Sequence, residues 1–266
     1  MNKKQAEEFL SRGFTVVRGG FPAKTAARYV TQAYERIGCD PADPSTWKEK
    51  RVHAQPENQF APPDFAPKAW KAICELVGGE DRIHEPDNPR WQDAFIIKFP
   101  HGKGHARQVP GPGSPHSWHM DGGPDMRHFL DSGEIGLITL ALWSAVKPKG
   151  GGTLLACDSV PRVARHLAEH PEGMVLREGG MERRLMEGCS DFFEFTGGPG
   201  DVLLAHPFLI HAESDNVAGP PRFQTVGFVP LKERMRFDRR PANKLSLVER
   251  AILRALDKTS FSFARR

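Results

Sequence analysis

A chain of 266 residues, 39% hydrophobic and 26% charged, has the make-up of a globular protein with a sizeable core. Its net charge of +4 is too mild to demand nucleic acid or an anionic membrane, and it suits a small acidic ligand. No segment approaches the roughly 20 apolar residues of a membrane span, and the opening MNKKQAEEFLSRGF carries no signal-peptide run. The first third reads as helical. Ala23, Ala26, Ala27, Val30, Ala33, Tyr34 and Ile37 form a stripe of helical period between Pro22 and Gly38. Ala69, Trp70, Ile73, Leu76 and Val77 repeat the pattern and stop at Gly78. Residues 39–64, rich in Pro, Asp and Asn, read as loop.

The character then changes. WQDAFIIKF (91–99) predicts a strand, and EIGLITLALWSAV (134–146) a long buried one. Between them, residues 101–118 are Gly, Pro and His with little aliphatic content, the mark of a segment that is either functional or disordered. GGGTLLACDS predicts a turn and a strand, and SVPRVARHLAEHP a short helix. DFFEF (191–195), DVLLAH (201–206) and RFQTVGFVP (222–230) are three more strand-like runs. The last helix spans 246–257, where Ser246 and Glu249 have capping-box spacing. Helices followed by strands with few helices between them predict an antiparallel sandwich or barrel with helices packed outside, in one domain over 1–266. The four cysteines, Cys39, Cys74, Cys157 and Cys189, lack C-x-x-C spacing and read as reduced, buried thiols of a cytoplasmic protein.

His119 and Asp121 stand two apart in SPHSWHMDGG (114–123). On extended backbone that spacing points both side chains the same way. Trp118 would exclude water, and Gly122 and Gly123 let the backbone approach closely. A structural reading, an Asp fixing a His tautomer, remains open at this level. So does a solvated helix end for the other close pair, His170 and Glu172. Farther on, His211 ends the apolar run HPFLIH, and Arg222 opens the next strand eleven positions later. An arginine at the start of an apolar strand needs an anion if it is buried. Two imidazoles and one carboxylate on one face of a metal match the facial triad of non-haem Fe(II) oxygenases. The arginine would then hold the distal carboxylate of 2-oxoglutarate as a bidentate pair.

The order H-x-D, a long interval, His, then Arg after eleven resembles the phytanoyl-CoA dioxygenase family of Fe(II)/2-oxoglutarate oxygenases. Gly151, Gly152, Thr153 and Leu154, followed by Cys157, Asp158 and Ser159, are similar to that family's turn-and-strand segment. The segment departs by lacking a proline and a histidine, and Glu213 stands where a small residue is usual. The resemblance covers about residues 91–230. It implies a double-stranded β-helix (jelly roll, cupin-like), mainly β, with a helical part at 1–80, a core at about 91–230 and a C-terminal helix. It implies His119, Asp121 and His211 as ligands of Fe(II), Arg222 as the 2-oxoglutarate anchor, and O2 as oxidant. Trp143 aligns with an aromatic residue of the 2-oxoglutarate pocket, its other reading being a core tryptophan. Thr153 and Lys98 are secondary candidates there, read otherwise as a strand residue and a solvated charge.

The loop 101–118 and the N-terminal region are expected to form a lid, with Arg107, His116, Trp118 and Met120 facing substrate. The reaction implied is oxidation of an unactivated C–H bond of a small metabolite, such as an amino acid or secondary-metabolite precursor, by hydroxylation, desaturation or cyclisation. The carboxylate ligand argues against halogenation. Competing readings are a non-enzymatic binding jelly roll, a zinc hydrolase, which leaves Arg222 unexplained, and a nucleic-acid demethylase. The last typically has a second arginine six residues after the first, where this chain has Phe228. Partners are therefore expected to be a small molecule, with no nucleic acid and no membrane; oligomeric state is open.

Overall fold

Asn2 caps helix α1 (Lys3–Arg12): its side chain accepts from the Gln5 N–H, and the Gln5 side chain accepts from the Asn2 N–H. Strand β1 (Phe14–Val17) and helix α2 (Ala23–Ile37) follow, the latter bounded by Pro22 and Gly38 as its stripe predicts. The stretch 39–64 is not merely loop. It holds β2 (Arg51–His53), β3 (Gln59–Phe60) and the short helix α3 from Pro62 to Phe65. Strands of two or three residues leave no periodicity to read, and pairing with partners far along the chain creates them. Helix α4 (Pro67–Val77) ends at Gly78.

The predicted strand at 91–99 is two pieces, β4 (Trp91–Gln92) and β5 (Ile96–Lys98). Next come β6 (Arg127–His128), β7 (Leu137–Leu142), β8 (Leu154–Ala156), α5 (Ser159–Glu169), β9 (Met174–Val175) and α6 (Met181–Glu187). The chain closes with β10 (Phe192–Glu194), β11 (Val202–Ala205), β12 (His211–Ala212), β13 (Arg222–Val229) and α7 (Leu247–Ala255). The capping box of Ser246 and Glu249 opens α7 as its spacing predicts. This computed structural model describes residues 1–84, 91–101, 118–123, 125–176, 180–217, 219–238 and 245–266.

Two antiparallel sheets face each other. One has the order β1-β11-β7-β13-β5-β2, the other β10-β8-β12. Together they form a jelly-roll core with helices outside, the mainly-β architecture expected. Alternation along β13 divides its side chains between two environments. Phe223 packs against Tyr34 of α2 and against Phe95, whereas Arg222, Gln224, Val226 and Phe228 line the space between the sheets. HPFLIH is a strand only at its end. Phe208, Leu209 and Ile210 are fully buried in a turn whose N–H groups bond to His206 and Ser159. An apolar run buried on every side carries no period that separates strand from turn.

Among the described residues no helix is long and apolar enough to cross a membrane. All four cysteines are free; Cys157 and Cys189 are buried, while Cys39 and Cys74, expected to be buried, are only half-buried.

His206 is fully buried at the end of β11. Its Nδ1 accepts from the Phe208 N–H at 3.1 Å, so Nε2 carries the proton and donates to the Val248 carbonyl at 3.3 Å. Burial pushes this imidazole from 6.5 down to about 3. Below the unfolded value the unfolded chain takes a proton that the folded one refuses, so this part of the stability is present above about pH 6.5 and is lost as pH falls toward 3. Between about pH 6.5 and 4.5 the loss is roughly 2–3 kcal/mol. Urea unfolding of wild type and His206→Gln across that range checks this: the variant's stability should fall less steeply with acid, and parallel slopes would contradict it.

Candidate metal centre

The centre is built by one backbone bridge. His119 and His211 pair antiparallel: the His119 N–H donates to the His211 carbonyl and the His211 N–H to the His119 carbonyl, both at 2.9 Å. His211 in turn pairs with Leu155 of β8. Extended backbone through 119–121 then sends His119 and Asp121 to the face where His211 points. The donor atoms of His119, Asp121 and His211 all lie within 4.8 Å of one another. The imidazole rings are 4.6 Å apart, and His211 Nε2 is 3.4 Å from Asp121 Oδ2.

The surroundings prepare these groups for a cation. His211 Nδ1 sits 3.0 Å from the Leu209 carbonyl, which takes its proton and turns the Nε2 lone pair toward the cavity. Burial raises the Asp121 carboxyl, but His211 and then His119 outweigh it and hold it below its ordinary value. Burial lowers the His211 imidazole, and Asp121 outweighs that in turn. Asp121 Oδ2 is buried with no hydrogen bond among the described residues. An ionised, buried and unsatisfied carboxylate oxygen beside two imidazoles is a donor set for a divalent transition metal. Gly122 is needed next to it: its φ is +157°, and a Cβ there would lie 2.7 Å from both His128 Nε2 and a Leu176 methyl. Gly123 has open space around it.

The three donors open onto a cavity of about 240 Å³. One side is polar, with Arg51, Thr153, Glu213, Arg222 and Gln224; the other is apolar, with Ile96, Leu140, Val226 and Phe228. Arg222 is 1% exposed. It donates to Gln224 Oε1 at 3.1 Å and to the Ile96 carbonyl at 3.4 Å, and its Nε has no partner among the described residues. Burial lowers it to about 10, so it remains a cation at neutral pH. Thr153 Oγ1 accepts from Gln224 Nε2 at 3.0 Å, which fixes the amide that holds Arg222.

Four sequence-level expectations need correcting. Trp143 is not in the cavity lining. It packs on the helix side of the large sheet among Phe21, Tyr29 and Phe95, and its Nε1 donates to Thr225 Oγ1 at 2.9 Å. Lys98 is not a solvated charge. It is 6% exposed, donates to the Ser214 carbonyl at 2.8 Å and lies 3.1 Å from Glu213 Oε2. Met120 and Trp118, named as substrate-facing, alternate with His119 and Asp121 and so point the other way; they are 1% and 8% exposed, and Trp118 packs on Phe192. Arg107 and His116, with most of the loop expected to form a lid, lie outside the described residues. His170 contacts Glu172 at an exposed helix end, 2.9 Å away.

Sequence reasoning missed Gln224, although its i, i+2 relation to Arg222 places it on the same face. It also missed Arg51, whose short strand has no pattern to find.

No protein-family model matches the chain, and no curated protein matches it. Among solved structures it is similar to HygX from Streptomyces hygroscopicus with nickel and 2-oxoglutarate bound. The identity is 16%, over 86% of this chain and 87% of that one, with a TM-score of 0.50. It is also similar to EctD from S. alaskensis in its apoform, at 18% identity over 86% and 77% of the two chains, TM-score 0.49. A further similar structure is the non-haem alpha-ketoglutarate-dependent carbocyclase SnoK from nogalamycin biosynthesis, at 13% identity over 87% and 84%, TM-score 0.49. At this identity the likeness to HygX is one of fold.

Co(II) titration followed by visible absorbance tests the donor set. Wild type should bind one Co(II), with affinity falling at least roughly 100-fold in Asp121→Ala and in His211→Ala. Equal binding by the variants would assign the metal elsewhere.

Proposed function

We propose that the protein is an Fe(II)/2-oxoglutarate-dependent oxygenase that oxidises an unactivated C–H bond of a small molecule. One observation carries the reading: the His119–Asp121–His211 cluster, with His211 buried and the other two half-buried, shares its cavity with Arg222, a buried cation whose Nε lacks a partner among the described residues. A metal centre alone does not account for that guanidinium; a dicarboxylic cosubstrate does. The shared fold with HygX is consistent with this, and the order of H-x-D, His and Arg favours the phytanoyl-CoA dioxygenase family within the class.

His119, Asp121 and His211 would hold Fe(II) on one face, leaving the opposite positions to ligands. Bound there, Fe(II) supplies O2 activation coupled to conversion of 2-oxoglutarate to succinate and CO2, with one oxygen atom delivered to the substrate. Arg222 takes the distal carboxylate, oriented by Gln224, which Thr153 fixes in turn. Leu140, Val226 and Ile96 exclude water from the polar end. Phe228, 37% exposed, stands at the mouth and offers an aromatic face to an arriving hydrocarbon. The apolar wall favours a substrate that presents C–H surface rather than charge to the metal.

Anaerobic addition of Fe(II) and 2-oxoglutarate tests this. A weak visible charge-transfer band should form in wild type. It should be absent in His211→Ala, and in Arg222→Ala it should require at least roughly 100-fold more 2-oxoglutarate. No band at saturating ligand in wild type would overturn the reading.

A further inference from the structure

Arg51, Lys98 and Arg222 stand opposite one another on three adjacent strands. The register pairs Lys98 with Arg51 of β2 on one side and with Arg222 of β13 on the other. Residues directly opposite in a sheet point to the same face, so three like charges lie in a row and repel. One carboxylate reaches across from the facing sheet. Glu213, two residues beyond His211, places Oε1 2.6 Å from the Arg51 guanidinium and Oε2 3.1 Å from Lys98 Nζ. With two cations at these distances, the side chain acts as the counter-anion of the row.

Arg222 differs from the other two: no carboxylate of the described residues pairs with it, and its Nε is unsatisfied. The Arg51–Glu213 pair also separates the metal-side cavity from a neighbouring one of about 230 Å³ that Lys98 lines. Glu213 therefore determines which cations of the row face a ligand.

We propose that Glu213 sets the affinity of the site for its acidic cosubstrate: by engaging Arg51 and Lys98 it reserves Arg222 alone for a ligand carboxylate and weakens 2-oxoglutarate binding. This rests on the oxygenase reading. A resident carboxylate in the same cavity repels an incoming one. Glu213→Gln keeps the size of the side chain and one acceptor oxygen for Arg51 or Lys98, removes that repulsion and leaves Arg51 and Lys98 with charge to share.

Calorimetric titration of 2-oxoglutarate into Ni(II)-loaded protein, without turnover, tests the proposal. Glu213→Gln should bind roughly tenfold more tightly than wild type. A purely structural Glu213 would lower the melting temperature and leave affinity unchanged or weaker, and either affinity result in folded protein overturns the proposal. If Glu213→Gln does not fold, Arg51→Met at the half-exposed end of the row decides. With Glu213 less neutralised, 2-oxoglutarate should bind several-fold more weakly, and unchanged affinity overturns the proposal. A wild type that binds no 2-oxoglutarate overturns both this inference and the oxygenase reading; wild-type binding that Glu213→Gln leaves unchanged overturns this inference alone.

Discussion

The site depends on the two main-chain hydrogen bonds between His119 and His211. They join segments about ninety residues apart in the chain and set the orientation of all three donor side chains at once. Each such bond contributes only about 0.5–1.5 kcal/mol net, too little to offset the cost of burying an ionised carboxylate such as Asp121. The remainder comes from the packing behind them. Phe208, Leu209 and Ile210 are completely buried next to His211, and Trp118 and Met120 anchor the other segment from its far face. The side chains that alternate with the donors thus hold the donors in place.

Electrostatics in the cavity follow the same logic. A guanidinium buried with only an amide oxygen and a carbonyl for company is costly by several kcal/mol relative to a paired one. The sandwich sustains it because Gln224 and Thr153 are themselves locked on facing walls. Arg222 and the three donor side chains are therefore fixed before any ligand arrives, and little reorganisation is left for binding.

Much of this was legible in the sequence, and for definable reasons. The stripe of α2, the capping box of α7 and the alternation that puts His119 beside Asp121 are local patterns, and local patterns persist in the fold. Trp143 was placed by analogy of position; which face of the sheet a strand-end residue meets is decided by pairing, which no local pattern encodes. Lys98 could be read only as a cosubstrate-pocket candidate or a solvated charge because its partner Glu213 lies on another sheet. The strand carrying Arg51 is three residues long and exists only through its pairing with β5.

Strand β13 is paired along its length with β7 and, at its start, with β5. Its even positions carry the cavity and its odd positions the aromatic layer under α2. Inserting or deleting one residue within it would exchange the two sets, driving Arg222 and Gln224 into the aromatics and Phe223 into the cavity. The strand thus tolerates changes of side chain far better than changes of length. Length can change without this penalty only in the connections between strands, where the chain can lengthen and reshape the mouth of the site without touching the charges at its floor.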